Sequence, residues 1–507
     1  MQRERLLERL RSTPRWDVLV IGGGATGLGC AVDAAARGYS TLLLEAHDFA
    51  QGTSSRSTKL IHGGVRYLAQ GRIGLVREAL AERTTLLATA PHLVHPQRFV
   101  VPVYRQWDRL VLAAGLTAYD WLAGDHRLGP SRLLSVDDIL AALPGVQPDG
   151  LVGGIAYMDA RFDDARLAIA LMRTVFDLGG MAINNLPVTA LRHAGGRIDG
   201  VGARDDETGE AFEIAARVVI NAAGVWGDEI RQLDDASARP QLAPSQGAHV
   251  VLGRRFLPGS DALLIPRTPD GRVLFVIPWQ GRLLLGTTDT PRADRPLEPR
   301  PLAEEIDFIL DTAGRYLALR PTRADVHSAF AGLRPLLGAG GGRTAALSRE
   351  HSIEVSAAGL VSVAGGKWTT YRRMAEGIVD RAAAVAGLPV RASTTAALAV
   401  HASPGAPGDD VFGTDRAIID SLPGAARQVH PAFTLSEAEV RHGARCEQAR
   451  SVEDLLARRH RALFIDAAAA IEAAPAVAAI LAEELGWSSA QTTESTEAFR
   501  RVAEGFL

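Results

Sequence analysis

The stretch WDVLVIGGGATGLGCAVDAAARGYSTLLLEA, from Trp16 to Ala46, decides the fold. Its first apolar run, residues 18–21, is typical of a strand buried in a parallel sheet. The turn G-x-G-x-x-G follows at once, and an alanine-rich helical stretch then ends at Gly38. A second apolar run, residues 41–44, ends in Glu45. The stretch therefore predicts a strand, a tight turn, a helix and a second strand.

This order of elements is the pattern of a dinucleotide-binding site. Gly22, Gly24 and Gly27 allow the backbone to approach a pyrophosphate, and the N-terminus of the following helix faces its charge. Glu45 is placed to accept hydrogen bonds from a ribose, which counts against the 2′-phosphate of NADP. The motif by itself leaves NAD and FAD open.

Three later stretches favour FAD over NAD. The loop GTSSRST, residues 52–58, carries hydroxyls that can donate to a pyrophosphate or to the edge of a flavin. An apolar strand enters a small-residue turn in ARVVINAAGVWGDEI, residues 216–230. A strand, a Gly-Gly turn and a helix start follow one another in GLVSVAGGKWTTYRRMAEGIVD, residues 359–380. We expect these distant segments to assemble one cofactor site.

The region between the second and third of these segments has a different pattern. Short apolar runs at residues 249–252, 262–266, 273–278 and 282–287 are joined by Asp-Gly and Gln-Gly turns. This pattern indicates an antiparallel meander. A β-rich domain is therefore expected inside the nucleotide-binding domain, with substrate bound where the two meet.

The composition excludes several classes of protein. The 507 residues are 47% hydrophobic and 22% charged, with a formal net charge of −3, so nothing indicates nucleic-acid binding. The two cysteines, Cys30 and Cys446, form no metal-ligand pattern and no disulfide framework, and we expect no metal and a reducing compartment. No signal peptide is visible, and no run reaches the roughly 20 apolar residues of a membrane span. We therefore expect a cytoplasmic protein.

Six motifs in order resemble the FAD-dependent glycerol-3-phosphate dehydrogenase family, within the D-amino-acid-oxidase-like flavoprotein group. They are GTSSRSTKLIHGGVRYL, NAAGVW, FVIPW, GTTDT, GLRPLL and AGGKWTTYRRMAE. The tail, residues 444–487, is similar to the helical C-terminal domain of that family. The fold expected is α/β, with a discontinuous Rossmann-like FAD-binding domain, an inserted antiparallel β-rich substrate-binding domain and a helical C-terminal domain. The expected ranges are 14–95, 155–245 and 350–388 for the first, 96–154 and 246–349 for the second, and 389–507 for the third.

The resemblance implies that sn-glycerol 3-phosphate is oxidised at C2 to dihydroxyacetone phosphate, with hydride transfer to flavin N5 and electrons passed to quinone. It implies His249 as the general base with Arg334 and Lys367 as further catalytic residues, although an Arg or Lys beside the hydroxyl could instead stabilise an alkoxide. The substrate-binding residues that it implies are Arg66, Tyr67, Arg272, Thr287 and Arg349. Ala248 stands before His249 where the family pattern has Ser, so a hydroxyl partner for the imidazole is missing.

The cofactor-binding residues that the motifs and the resemblance indicate come from all three segments. They are Gly22, Gly24, Thr26, Gly27, Glu45, Thr53, Ser54, Ser55, Ser57, Lys59, His62, Gly63, Gly64, Val188, Ala223, Gly224, Trp226, Gly366 and Thr369. Lys59 and Lys367 are the only two lysines of the chain, and both fall in segments expected to meet at the isoalloxazine. We expect Lys59 to order its loop or to lie beside the flavin.

A quinone-reducing enzyme must contact the bilayer, and two segments are candidates for peripheral binding to the inner face of the cell membrane. Residues 105–124 carry tryptophans at helical spacing, although a helix buried in the substrate domain explains them slightly better. The N-terminus, with leucines among arginines at residues 3–11, is the second. The C-terminal helices could form a homodimer contact or cap the core. The alternative functions are an oxidase that uses oxygen, a flavin amine or amino-acid oxidase, and a flavin-binding scaffold without turnover.

Overall fold

The computed structural model describes residues 3–64, 72–268, 271–338, 351–406, 408 and 410–507, apart from the side chains of residues 109–111. The α-helices of these residues are α1 (Arg3–Ser12), α2 (Ala25–Ala36), α3 (Ile73–Thr89), α4 (Gln106–Ala123), α5 (Val136–Ala142), α6 (Asp164–Asp177), α7 (Gly227–Asp234), α8 (Ala303–Gly314), α9 (Tyr371–Ala386), α10 (Arg416–Asp420), α11 (Glu437–Cys446), α12 (Ala462–Ile465), α13 (Ala467–Leu485) and α14 (Ser489–Ala503). A π-helical turn spans Asp454–Arg459.

The strands form two sheets. They are β1 (Trp16–Ile21), β2 (Thr41–Leu44), β3 (Leu60–Ile61), β4 (Val94–Val103), β5 (Arg132–Leu134), β6 (Gly153–Phe162), β7 (Met181–Ile183), β8 (Val188–Ala194), β9 (Arg197–Arg204), β10 (Ala211–Asn221), β11 (Leu242–Gly253), β12 (Ala262–Ile265), β13 (Leu274–Trp279), β14 (Arg282–Gly286), β15 (Thr290–Pro291), β16 (Val326–Leu337), β17 (Ser352–Val355) and β18 (Val361–Ala364).

The first sheet draws its strands from three separate stretches of the chain. Its order is β17-β18-β10-β1-β2-β7, and all neighbours except β17 and β18 pair in parallel. Alternate residues of β1 face opposite layers, as the pleat requires. Val18 and Val20 pack with helices α2, α6 and α9, whereas Leu19 and Ile21 pack with α1 and the β8–β9 hairpin. Both faces are covered, which explains the unbroken apolar run of β1.

The second sheet confirms the predicted β-rich insertion. Its order is β15-β11-β14-β13-β12-β4-β6-β3, with β16 on β11 and β5 on β6, and its pairs are antiparallel except for β12 on β4. β3 and β6 lie in this sheet, although the predicted ranges place residues 60–61 and 155–162 in the FAD-binding domain. The backbone hydrogen bonds of β3 are made with β6, and those of β6 are made with β4, so both strands belong to the second sheet. The remaining domain boundaries stay a prediction.

Helices α12 and α13 of the C-terminal region pack on the second sheet. Phe464 of α12 and Ala473 of α13 belong to one apolar core together with Trp279 and Phe330 of the sheet. Phe464 also makes an edge-to-face contact with Phe330, with ring centroids 4.7 Å apart. This C-terminal region therefore caps the second sheet, and it brings Arg458, Arg459 and Arg461 to the loop that follows β2.

Helices α1 and α4 differ in the exposure of their apolar faces. Leu6, Leu7 and Leu10 of α1 are buried against the first sheet, so that face is not exposed for membrane contact. In contrast, α4 buries Leu116, Tyr119 and Leu122 while its opposite face exposes two tryptophans. Trp107 is 73% exposed and Trp121 is 75% exposed, so the favoured prediction of a buried helix is wrong for that face. Among the described helices, none combines the length and apolar character that crossing a bilayer requires.

His442 of α11 is buried within a charged cluster and should make stability depend on pH. Burial by itself lowers its pKa, but Asp415 and Cys446 outweigh burial and raise the pKa to about 9. Its Nε2 lies 3.3 Å from Asp415 Oδ2, which also faces His401 at 3.1 Å and Arg173 at 3.4 Å.

We expect His442→Gln to destabilise the fold most at low pH. Because the folded-state pKa lies above the ordinary value of 6.5, the contribution of His442 is complete below pH 6.5 and is lost as pH rises through 9. Urea unfolding should show a deficit of roughly 1–3 kcal/mol at the acidic end that shrinks at the basic end. Parallel stability curves for the two proteins across this range would contradict the expectation.

Candidate functional site

A cavity of about 430 Å³ lies at the carboxyl ends of the parallel strands β1, β2, β10 and β18. Open α/β sheets bind their ligands at this end of the strands. Most of the lining residues come from four parts of the chain: 21–26, 44–54, 188 with 222–230, and 363–368. Leu297 and Pro335, from the part of the chain that forms the second sheet, complete the lining. The cavity therefore brings together the three segments that the sequence predicted to share one cofactor.

The turn after β1 admits only glycine at its closest approach. Gly22 has φ +108°, and a Cβ there would lie 2.6 Å from the carbonyl oxygen of Ala222. Helix α2 then begins at Ala25, whose N–H donates to Ser54 Oγ at 2.9 Å. This N-terminus lies at the cavity and provides the positive end of the helix dipole for a phosphate.

Glu45 is held at the rim of the cavity by backbone donors. Its carboxylate accepts from the N–H of Gly23 at 2.5 Å and of His47 at 2.8 Å. Burial raises the pKa of this carboxyl, and the two N–H donors oppose that effect. The fixed carboxylate has acceptor sites left for the hydroxyls of a ribose. The residues of this end thus fit the adenosine part of a dinucleotide.

The loop after β2 is held from behind by arginines of the C-terminal region. Asp48 accepts hydrogen bonds from Arg458 Nε at 2.5 Å and from Arg459 Nη2 at 2.8 Å, and all three side chains are buried. Burial by itself would raise the pKa of Asp48, but the two guanidinium groups outweigh it and lower the pKa to about 2. Neighbouring residues His47 and Gln51 line the cavity, so this ion cluster fixes the cavity wall.

Lys59 also acts on this loop from behind and does not line the cavity. Its Nζ donates to the carbonyl oxygen of Ser55 and to Asp164, both at 2.7 Å. Arg461 donates to the same Ser55 oxygen at 2.6 Å and lies 3.5 Å from Asp164. Burial lowers the pKa of Lys59 to about 7 even though Asp164 opposes it. Three rings lie 5.4–5.6 Å from the ammonium: Trp279, Phe330 and Phe464. Lys59 therefore orders the loop.

His249, Thr287 and Arg334, which we call the His249 cluster, lie together on the second sheet beside the cavity. Arg334 Nη2 donates to Thr287 Oγ1 at 3.0 Å, and Nη1 lies 3.3 Å from Asp289. The imidazole of His249 is stacked on Phe330 with ring centroids 4.9 Å apart. The neighbouring Pro335 lines the cavity, and the cavity residue Thr53 donates to Leu333 O at 2.6 Å.

The imidazole of His249 is neutral at pH 7. Burial lowers its pKa well below 6.5, and the charges of Lys59 and Arg334 act in the same direction. Its Nε2 lies 2.9 Å from Thr58 Oγ1, and its Nδ1 has no hydrogen-bond partner among the described residues. Thr58 therefore supplies the hydroxyl that is missing from position 248. A neutral imidazole can accept a proton.

The structure places the remaining predicted residues as follows. Those that line the cavity are Gly22, Gly24, Thr26, Glu45, Thr53, Ser54, Val188, Ala223, Gly224, Trp226, Gly366 and Lys367. Gly27 packs on Gly22, Ser57 donates to Asp164, and Ser55 and Thr369 are buried beside the cavity wall. The rings of His62 and Phe275 are neighbours. Gly63, which precedes Gly64, packs against Tyr119, and a Cβ at position 63 would lie 2.4 Å from the Tyr119 hydroxyl. Arg272 lies over the ring of Phe308 at 5.6 Å. Arg66, Tyr67 and Arg349 lie outside the described residues.

Sequence reasoning missed the residues that hold the cavity wall from behind. Asp48, Asp164, Arg458, Arg459 and Arg461 show no shared pattern because about 400 positions separate the first of them from the arginines. One signal was available: the three arginines interrupt an apolar stretch, LLARRHRALF, residues 455–464. Charged side chains in such a stretch are buried only when they are paired.

Comparisons with known proteins show the family to which the chain belongs. The family model described as FAD dependent oxidoreductase matches residues 17–372, and the model of the C-terminal domain of alpha-glycerophosphate oxidase matches residues 365–492. The chain is 38% identical to the mitochondrial glycerol-3-phosphate dehydrogenase of Mus musculus over 98% of its own length and 74% of the relative's. It is 40% identical to glycerol-3-phosphate dehydrogenase 2 of Mycobacterium bovis, over 94% and 86% respectively.

A solved structure is similar over the whole chain. The X-ray structure of the glycerol-3-phosphate dehydrogenase from Bacillus halodurans, complexed with FAD, superposes with a TM-score of 0.79 at 29% identity. The match covers 99% of this chain and 97% of that one. The similarity thus includes both sheets and the C-terminal helices.

We expect Asp48→Asn to destabilise the protein and to lower its content of the predicted flavin. The neutral amide would remove the carboxylate that pairs with the buried Arg459 and one of the three that surround Arg458, and breaking a buried pair costs about 3–5 kcal/mol. Denaturant unfolding and the flavin-to-protein absorbance ratio measure the two effects. Asp307→Asn is the matched control, because Asp307 pairs with Arg323 on the surface, where water screens the ion pair, and this variant should lose little stability. Equal losses in the two variants would contradict the role of Asp48.

Proposed function

Because the chain belongs to the FAD-dependent glycerol-3-phosphate dehydrogenase family, we propose that it oxidises sn-glycerol 3-phosphate to dihydroxyacetone phosphate and passes the electrons to a quinone. FAD is the cofactor, and when bound it supplies the hydride acceptor. The observation that supports the substrate assignment is the His249 cluster, which combines a neutral imidazole with a cation beside the cofactor cavity.

The phosphate group of the proposed substrate requires positively charged side chains. A phosphate ester needs cations, and we assign Arg334 together with Lys367, which lines the cavity, to its oxygens. At an effective dielectric constant near 20, a cation at ~4 Å contributes about 4 kcal/mol per unit of phosphate charge before desolvation. Arg66, Tyr67, Arg272, Thr287 and Arg349 are proposed as further substrate contacts on the family pattern.

His249 is the proposed acceptor of the hydroxyl proton. Its low pKa keeps the imidazole neutral, and Thr58 fixes the ring through Nε2. The ring therefore needs no prior deprotonation to act as a base at neutral pH. Arg334, whose charge helps to lower this pKa, would also stabilise the oxygen from which the proton leaves.

The proposed acceptor places the protein at a membrane surface. The exposed face of α4 carries Trp107, Ala114, Ala118 and Trp121, which repeat at helical spacing. Tryptophan favours the interface between headgroups and acyl chains. We propose that this face holds the protein on the cytoplasmic leaflet, where it can reach a lipid-soluble quinone. Oxygen as the acceptor is the alternative, and it needs no membrane contact.

We expect sn-glycerol 3-phosphate to bleach the flavin absorbance of the purified protein under anaerobic conditions. Arg334→Ala should leave the protein yellow but raise the substrate concentration for half-maximal bleaching roughly 100-fold or more, since several kcal/mol of phosphate binding are lost. Arg323→Ala, which removes a surface arginine, is the matched control. Bleaching by amino acids rather than by the phosphate ester would overturn the proposed substrate.

The same anaerobic sample decides the acceptor. A quinone analogue should restore the yellow colour faster than air-saturated buffer does, and little peroxide should accumulate in air. Fast reoxidation in air with stoichiometric peroxide would instead identify an oxidase.

We expect the protein to sediment with vesicles of phosphatidylglycerol and phosphatidylcholine at low salt. The double variant Trp107→Ser/Trp121→Ser should lose most of this binding, because two large interfacial side chains are removed. The double variant Leu319→Ser/Val390→Ser removes two other exposed apolar side chains and should bind like the unsubstituted protein. Recovery of the unsubstituted protein in the supernatant, or equal losses in both variants, would exclude α4 as the contact.

A further inference from the structure

Glu305 of α8 is a buried carboxylate that receives four hydrogen bonds. It is only 3% exposed. Its Oε1 accepts from the hydroxyls of Thr288 at 2.8 Å and Thr290 at 2.6 Å. Its Oε2 accepts from Gln246 Nε2 at 2.6 Å and from the N–H of Leu302 at 3.0 Å. Each carboxylate oxygen thus has two donors, so the group is an anchor of fixed geometry for the segment after β14.

Thr288 connects this anchor to the His249 cluster on two sides. Its hydroxyl donates to Glu305 and, through the same oxygen, accepts from the N–H of Ala248 at 2.8 Å. Its carbonyl oxygen accepts from Arg334 Nη2 at 3.0 Å. Ala248 directly precedes His249 in β11. One residue, itself 3% exposed, therefore contacts both the cation of the cluster and the backbone beside its imidazole.

The hydroxyl of Thr288 replaces a missing backbone partner. Strand β11 pairs with β14 from His249 onward and with β15 at Ser245 and Gln246, so within the described part of the chain no strand pairs with the edge of β11 between these two pairings. The N–H of Ala248 falls in this gap, and a buried N–H without a partner is costly. Because the donated proton of Thr288 is directed to Glu305, the lone pair of its oxygen is directed to Ala248.

We propose that Thr288 is a positioning residue for the reaction, fixed by Glu305 and acting through His249 and Arg334. Its hydroxyl sets the backbone from which the imidazole projects, and its carbonyl sets the guanidinium. Neither group of Thr288 needs to touch the substrate. This inference rests on the proposed function, because it requires that His249 and Arg334 act on the substrate.

The decisive comparison uses three variants of the flavin-loaded protein. Thr288→Val keeps the branched shape but removes the hydroxyl, whereas Thr288→Ser keeps the hydroxyl. Thr174→Val is the matched control, because the Thr174 hydroxyl is buried in α6, donates to Ala170 O at 2.7 Å and accepts from the N–H of His401 at 2.8 Å. Stopped-flow reduction by sn-glycerol 3-phosphate, flavin content and melting temperature are measured for each variant.

Thr288→Val should lower the limiting rate of flavin reduction roughly 10- to 100-fold, because a small displacement of two reacting groups costs about this much. Thr288→Ser should restore most of the rate. Thr174→Val should lower the melting temperature as much as Thr288→Val does without slowing flavin reduction. An unchanged rate in Thr288→Val, or equal rate losses in both valine variants, would overturn the inference.

Failure of the proposed function gives a different result, since sn-glycerol 3-phosphate would then fail to reduce the unsubstituted protein. If Thr288→Val does not fold, Thr288→Ala takes its place, because alanine differs from serine only by the hydroxyl oxygen. If alanine also loses the flavin or the fold while serine keeps them, the hydroxyl is a folding requirement and the positioning role is wrong.

Discussion

The close packing of the Gly22 backbone against Ala222, at the carboxyl ends of β1 and β10, is the constraint on which the rest of the structure depends. A side chain at position 22 would meet the carbonyl of residue 222 at 2.6 Å. The contact allows the N-terminus of α2 to open directly into the cavity, and it places the turn of the NAAGVW motif on the opposite wall. The cavity therefore forms only because a parallel sheet brings together two segments about 200 residues apart.

The C-terminal region completes this site without lining it. Arg458, Arg459 and Arg461 reach the loop after β2 and hold Asp48 and the Ser55 carbonyl. Phe49 and Ala50 of this loop pack in the core, but residues 51–58 are mostly polar and have little apolar surface with which to fix their own conformation. Charged hydrogen bonds in a buried environment can do this, because leaving either partner unpaired there is costly. The C-terminal region thus both covers the second sheet and orders the loop after β2.

On the second sheet, two cations and burial determine the charge state of one imidazole, that of His249. Lys59 and Arg334 both act against protonation of His249, and burial adds to them. The same Arg334 is held by Thr287, by the carbonyl of Thr288 and by Asp289. A cation with three fixed partners does not need to reorganise when an anion binds, which is the condition for efficient electrostatic catalysis. The two lysines of the chain have different positions. Lys367 lines the cavity, whereas Lys59 lies behind the cavity wall, where it pairs with Asp164.

The sequence by itself determined the parts whose signal is local. The glycine turn, the helix after it, the acid at Glu45 and the hairpins of the insertion follow from backbone sterics and from periods of two and 3.6 residues. It could not determine which sheet receives a short strand such as β3, or that Lys59 pairs with Asp164 and that Asp48 pairs with Arg459. Those pairings join residues more than 100 positions apart. In the two ion pairs, burial removes water from both charges, so each charge needs its partner once the chain has folded. The same holds for Thr288: the sequence motif indicated the neighbouring Thr287, and only the gap in the pairing of β11 brings the N–H of Ala248 to the Thr288 hydroxyl.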